Sequence, residues 1–192
     1  MALIRIAAPA SEPLDLATAK LHCRVDGTDD DALITALIVA AREQAEHETG
    51  RALITQTWEL VHDAFPEAFV LRKAPIQSLT SIKYLDAVTG AEQSLNLSDT
   101  ILDSASEPGY VVPAYGKSWP ATWPIPNAVR CRYVCGYGAA SDVPQAIKQW
   151  MLLATGTMYA QRETVMAGSN IAAIPDRFWA GLLDPYRLNE AI

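Results

Sequence analysis

"SWPATWPIPNAVRCRYVCGYG" runs from Ser118 to Gly138. It opens on two Trp-Pro steps and a third proline. It closes on an alternating run that holds two of the chain's three cysteines and a Gly-Tyr-Gly. Cys131 and Cys135, four apart and beside glycines, suggest a metal or thiol site. The competing reading is a strand with its entry written in proline and its exit in glycine. Extended geometry favours the strand. Residues four apart on a strand face the same way but stand about 13 Å apart. That is too far for one tetrahedral zinc, which also needs more ligands than two thiolates. No histidine follows His62. Val129, Cys131, Tyr133 and Cys135 alternate with Arg130, Arg132 and Val134, which predicts one mostly apolar face. The prolines make a rigid, non-helical approach, and Gly136 and Gly138 let the chain turn out of the sheet. The stretch therefore reads as the joint between a β-rich region and a helical one, with its cysteines as small apolar fillers.

Working backward from that joint, residues 53–138 read as a small, mainly antiparallel β module. "TQTWELVHDAF" alternates, and short extended runs follow between turn signals at Val88–Gly90 and Glu107-Pro108-Gly109. Residues 1–52 read as helical. A first helix is predicted near Asp15–Arg24, with Leu16, Ala19 and Cys23 on one face and Lys20 and Arg24 toward solvent. Thr28 and Asp31 have capping-box spacing. A second helix follows over about Asp30–Thr49, with Leu33, Ile34, Leu37, Ile38, Ala41 and Ala45 inward, and Arg42, Glu43 and Glu46 outward. Gly50 is placed as its left-handed stop.

Working forward, residues 139–192 read as a returning helical part that packs on the first. Pro144 suits a first helical turn. Ile147, Trp150, Met151, Ala154 and Met158 form a stripe, and Leu152 and Leu153 add apolar surface off it. A helix apolar on more than one side is buried or meets a partner. "RETVMAGSNIAAI" reads as a mobile loop, and Pro175–Leu183 as a short last helix. The predicted class is α+β: a small helical bundle interrupted by a mainly antiparallel β insertion.

The bulk numbers set limits on function. The 192 residues suit one domain, or one domain carrying an insertion. No apolar run approaches the roughly 18 residues of a membrane span. The start, "MALIRIAAPASEP", lacks the long apolar core of a signal peptide, so a cytosolic origin is expected. The formal charge is −7, and no basic cluster exists to grip phosphates. Sequence-specific DNA binding is not expected, whereas a surface that lets DNA pass is compatible with this charge. An odd cysteine count argues against a disulfide framework.

No chemistry stands out. His22, His47 and His62 form no His-x-x-x-His pair, and Asp29–Asp31 lack the alternation of a calcium loop. Neither Gly-x-Ser-x-Gly nor Gly-x-x-x-x-Gly-Lys occurs. No catalytic, cofactor-binding or metal residues are expected, and no cofactor. The acids are scattered, so an acid-based hydrolase has only their presence in its favour. The apolar excess is more telling. Five tryptophans and four methionines are many for a small split domain, and aromatics and Met favour subunit interfaces.

The order of segments is familiar. "PLDLATAKLHCRVDGTDDDALITALIVAAREQAEHETGRAL" resembles the N-terminal helix pair of the tailed-phage head–tail connector family, the head-completion adaptors. The matching residues are Leu16, Ala19, Lys20, Arg24, Asp29 to Asp31, Ala40, Ala41 and Thr49 to Arg51. Cys23 stands where the pattern has a Leu. "PNAVRCRYVCGYG", "DVPQAIKQWMLLATGTMYAQRE" and "LLDPYR" resemble the later strand, helix and tail of a prophage branch. The β insertion departs from the shorter connectors.

The resemblance implies a structural, non-enzymatic protein of the virion, present in the host cytoplasm during assembly. It implies a homo-oligomeric ring on the portal protein that extends the DNA channel and joins head to tail, with a tail-completion protein as the other partner. DNA would pass without sequence-specific binding, and no membrane is involved. A head-to-tail ring needs two different patches per subunit. The candidates are Trp150, Met151 and Met158 on the third helix, and Phe178 and Trp179 on the last. Tyr186 and Arg187 belong to a tail that would dock on the portal. The alternative is a non-enzymatic protein-binding module in phage DNA packaging or assembly, using the aromatic, Pro-rich segment Tyr110–Pro126.

Overall fold

The computed structural model describes residues 1–161, 179 and 181–188. The loop expected at Arg162–Ile174 and most of the helix expected at Pro175–Leu183 lie outside them. The strands are β1 (Ala2–Ala7), β2 (Gln56–His62), β3 (Phe69–Leu71), β4 (Ile76–Leu85), β5 (Glu92–Ser94), β6 (Thr100–Asp103), β7 (Gly109–Pro113) and β8 (Val129–Cys135). The helices are α1 (Leu16–Cys23), α2 (Asp31–Thr49) and α3 (Gln145–Ala160). The class is mixed α+β, as expected. Contacts divide the chain into a β unit, residues 1–10 and 55–137, and a helical unit, residues 11–54 and 138–189. Residues 1–10 thus join the β unit, although the sequence reading placed them in the helical part.

In the helical unit, Asp15 caps α1. Its carboxylate accepts the Thr18 backbone N–H at 2.7 Å and the Thr18 hydroxyl at 2.9 Å. These bonds, the backbone one foremost, hold the Asp15 carboxyl below its usual range. α1 stops at Arg24 in the left-handed region, φ 57°. α2 ends as expected on left-handed Gly50, φ 72°. Its start differs from expectation, because no Thr28–Asp31 capping box forms. Asp30 is the N-cap and makes no side-chain cap bond. With Asp30 as N-cap, Asp31 is the first helical residue rather than the third, out of place for a capping box, and its carboxylate takes the Lys20 ammonium at 2.5 Å.

A second correction concerns Arg42 and Glu46, which are buried rather than outward. Arg42 Nε donates to Glu12 at 2.7 Å and Arg42 Nη1 to Glu46 at 2.9 Å. The other Glu46 oxygen accepts the Leu53 N–H at 2.9 Å. Burial opposes the Arg42 charge, yet Glu46 and then Glu12 outweigh it and keep the guanidinium firmly protonated. Paired and bonded charges are the kind that an interior tolerates. Around this network each of the three helices packs on the other two. Ala19, Ile34, Ile38, Ala41, Ile147 and Met151 are among the fully enclosed apolar residues. Pro144 is the N-cap of α3.

The β unit holds a five-stranded sheet, in order β1-β2-β8-β4-β5, and a three-stranded sheet, in order β3-β7-β6. Every pairing is antiparallel. β8 is the central strand of the larger sheet. Cys131 lies opposite Leu60 on one side and Ile82 on the other. Val129, Cys131, Tyr133 and Cys135 are buried, while Arg130 is exposed, so the predicted alternation holds. The Tyr133 hydroxyl donates to the Arg72 carbonyl at 2.6 Å. The β4–β5 turn is closed by Asp86, whose carboxylate accepts the N–H groups of Val88 and Thr89 and the Thr89 hydroxyl. Gly90 supplies the left-handed residue there, φ 66°.

Candidate functional site

Among the described residues, no group of three or more His, Cys, Asp or Glu is placed to hold a metal ion. No two of the three cysteines are joined in a disulfide. Burial, with a smaller contribution from Glu59, pushes the Cys131 thiol up to about 12. A thiol held that high is neither a ready nucleophile nor a ready ligand. Among the described residues no helix is long and apolar enough to cross a membrane.

The residues picked from the sequence as contact candidates fall into three groups. Trp150 and Met151 are buried in the helical unit, at 3% and 0% exposure. Trp150 stacks on half-buried Trp179, ring centroids 5.3 Å apart and planes 6° from parallel. These three therefore help hold the unit together before any partner arrives. Met158 is half-buried near the end of α3. Phe178 lies outside the described residues. Tyr186 and Arg187 form the third group, in a tail segment fastened to the end of α2. The Arg51 Nε donates to the Tyr186 carbonyl at 2.5 Å, and the Leu188 N–H donates to the Thr49 carbonyl at 2.9 Å. Arg187 reaches Glu48 at 3.3 Å. The Thr-Gly-Arg that carried part of the family resemblance is the corner that holds this segment.

Other exposed apolar residues lie on β1 and at the β4–β5 turn, which the sequence did not single out, and on the Tyr110–Pro126 segment, which it did. β1 is an edge strand that, among the described residues, pairs with β2 alone, and Ile4 and Ile6 on it are nearly half exposed. "ALIRIA" holds an alternating pattern, but one too short to separate from a mixed apolar start. At the β4–β5 turn Val88 is 86% exposed. Trp123 and Ile125 are about 40% exposed on the Trp-Pro loop. Trp123 packs against Gly90, where an added Cβ would lie 3.8 Å from the indole. The Trp123 N–H donates to the Leu85 carbonyl at 2.9 Å, and Thr122 bridges to Asp86. The loop and the turn thus form one apolar surface of the β unit. Phe65 and Trp119 stack beside it at 4.9 Å, and Phe69 meets both edge-on.

The model of the family described as phage gp6-like head-tail connector protein matches residues 13–105. That span contains α1, α2 and the strands from β2 to β6. The resemblance read from the sequence is borne out. No curated protein sequence matches the chain. Three solved structures share its fold along its whole length. One is described as the neck of an empty GTA particle computed with C6 symmetry, at 23% identity and TM-score 0.78, covering 100% of this chain and 98% of that one. A second is the virion of a native gene transfer agent (GTA) particle, at 24% identity and TM-score 0.78 with the same coverage. A third is the neck of a native GTA particle computed with C12 symmetry, at 23% identity and TM-score 0.71, again with 100% and 98% covered.

Proposed function

We infer, from a chain that matches the phage head–tail connector family over residues 13–105, that it is a structural head-to-tail connector of a phage-like particle. The observation that carries this reading is the family match taken together with a likeness to particle-neck chains that covers 100% of this one. Copies form a closed ring on a portal protein, a tail-completion protein binds the far side, and DNA passes through the channel. The 6-fold and 12-fold symmetries of the neck structures support a ring. A charge of −7 suits a conduit that must not hold phosphates. The role is non-enzymatic, exercised in the virion after assembly in the host cytoplasm.

Within this reading the three helices are a small bundle, and the β segment is an insertion that presents contact surface. Met158, Trp179, Tyr186 and Arg187 are the contact candidates that retain accessible surface. Trp150 and Met151 support them from beneath, and Phe178 stays with this group from the sequence. The exposed Val88, Trp123 and Ile125 favour a second contact on the β unit, the surface on which the alternative, a protein-binding module in packaging or assembly, would rest. Light scattering of the purified protein, alone and with portal rings, tests the reading. A complex heavier than the portal by a whole ring of copies is expected; a portal mass unchanged at saturating protein argues against it.

A further inference from the structure

The corner Thr49-Gly50-Arg51 and the segment Tyr186-Arg187-Leu188 meet in a pattern that neither helix capping nor a sheet accounts for. A helix leaves its last carbonyls without intrahelical donors. The Thr49 carbonyl finds its donor in the Leu188 N–H, 139 residues along the chain, at 2.9 Å. The return bond runs from Arg51 to the Tyr186 carbonyl at 2.5 Å. In an antiparallel ladder, two facing residues exchange backbone bonds in both directions. Here the backbone N–H of Arg51 is turned inward onto the Thr49 hydroxyl at 3.3 Å, and its guanidinium Nε takes the place of the backbone donor. Arg51 is buried, with 7% exposure, which shields this charge-assisted bond from water.

Two further contacts fix the register. Gly50 is left-handed, φ 72°, and a Cβ there would stand 3.5 Å from the Leu188 Cβ, so Leu188 lies directly against the turn. Arg187 reaches back to Glu48 at 3.3 Å and to Asp184 at 3.6 Å. The single turn Asp184–Tyr186 delivers the segment, with the Tyr186 N–H on the Leu183 carbonyl at 2.9 Å. Leu183 itself is buried.

We propose that Thr49-Gly50-Arg51 is a clasp that closes on residues 186–188 and fixes how the helical unit presents Tyr186 and Arg187. Arg51 is the positioning residue, acting as a surrogate backbone donor. The clasp does not depend on the connector role, because all its partners lie in one unit of one copy. It does determine how Tyr186 and Arg187 are presented to anything that binds them.

Amide hydrogen exchange on the full-length protein, read residue by residue by NMR, tests this. In the natural sequence the Leu188 amide should be protected. In Arg51→Ala its exchange should quicken by about tenfold or more, the loss of roughly one well-made hydrogen bond. The amides of Ile38 and Ala41 in α2 should keep their rates. Leu188→Gly, which leaves Arg51 untouched, should also free the segment, with the Tyr186 and Arg187 amides exchanging faster. A Leu188 amide that exchanges in the natural protein as fast as that of exposed Gly116 overturns the clasp. So does protection that survives Arg51→Ala. Should Arg51→Ala not fold, unchanged Tyr186 and Arg187 exchange in Leu188→Gly overturns it equally.

Discussion

At the scale of single residues, Arg42 is the most consequential charge in the helical unit. Its guanidinium is nearly fully enclosed and serves Glu12 and Glu46 together. Arg42→Ala should cost about 3–5 kcal/mol, because it leaves two carboxylates without their counter-charge in or beside the interior. Urea unfolding measures this, and a loss under about 1 kcal/mol, the range of a surface ion pair, would contradict the description. Asp15 acts differently, at an exposed helix start. Its carboxyl is held below the usual range by the Thr18 N–H and hydroxyl. A carboxyl lowered on folding contributes stability that is complete above its unfolded value, about 4. That contribution is lost as the pH falls through the lowered folded value. Asp15→Ala should therefore lower stability by about 1 kcal/mol at neutral pH, and the difference should fade in acid. Denaturant midpoints of both proteins against pH check the magnitude and the sign. Helical periodicity alone turned Arg42 and Glu46 outward. The partner that reverses them, Glu12, lies 30 residues away on a segment without periodic structure. Local pattern carries no trace of such a pairing.

At the scale of elements, β8 was legible because its information is local. Proline at the entry, glycine at the exit and a strict alternation between them leave few other conformations. Its position as the central strand, between β2 and β4, completes the enclosure of its cysteines. Native protein at pH 8 should therefore react with N-ethylmaleimide at Cys23, which is only half-buried, and at neither Cys131 nor Cys135. All three should react in denaturant. Partial burial also raises the Cys23 thiol, so its labelling should be slower than that of a free thiol. Mass spectrometry of the labelled peptides decides it, and fast native labelling of Cys131 would refute the burial. β1 was not legible. Its residues are exposed on both faces apart from Leu3, so burial left little patterning to read. Its place in the sheet comes from pairing with β2, whose residues lie far along the chain, as Ala7 opposite Thr57 shows.

At the scale of the whole molecule, the order of elements says more than any one of them. A helix pair ending in Thr-Gly-Arg, a β segment, a Pro-led strand and a returning helix together resemble the connector family, and that family's model matches residues 13–105, the helix pair and the first part of the β segment. Residues 1–10 pair with the strand that starts the β segment, a partnership no local pattern announces. The proposed contact residues were the hardest part to read. Large apolar side chains suit a core and an interface equally, and at Trp150 and Met151 the core claims them. Exposed Val88 sits in a turn, where hydropathy patterning has no period to follow, whereas Trp123 belongs to the aromatic, Pro-rich segment that composition alone singles out. The most direct test of the connector role is cryo-electron microscopy of the protein bound to a portal ring. A closed ring of copies coaxial with the portal channel, with an open bore, is expected. Bare portals, or single copies scattered on the portal flank without ring closure, would contradict it.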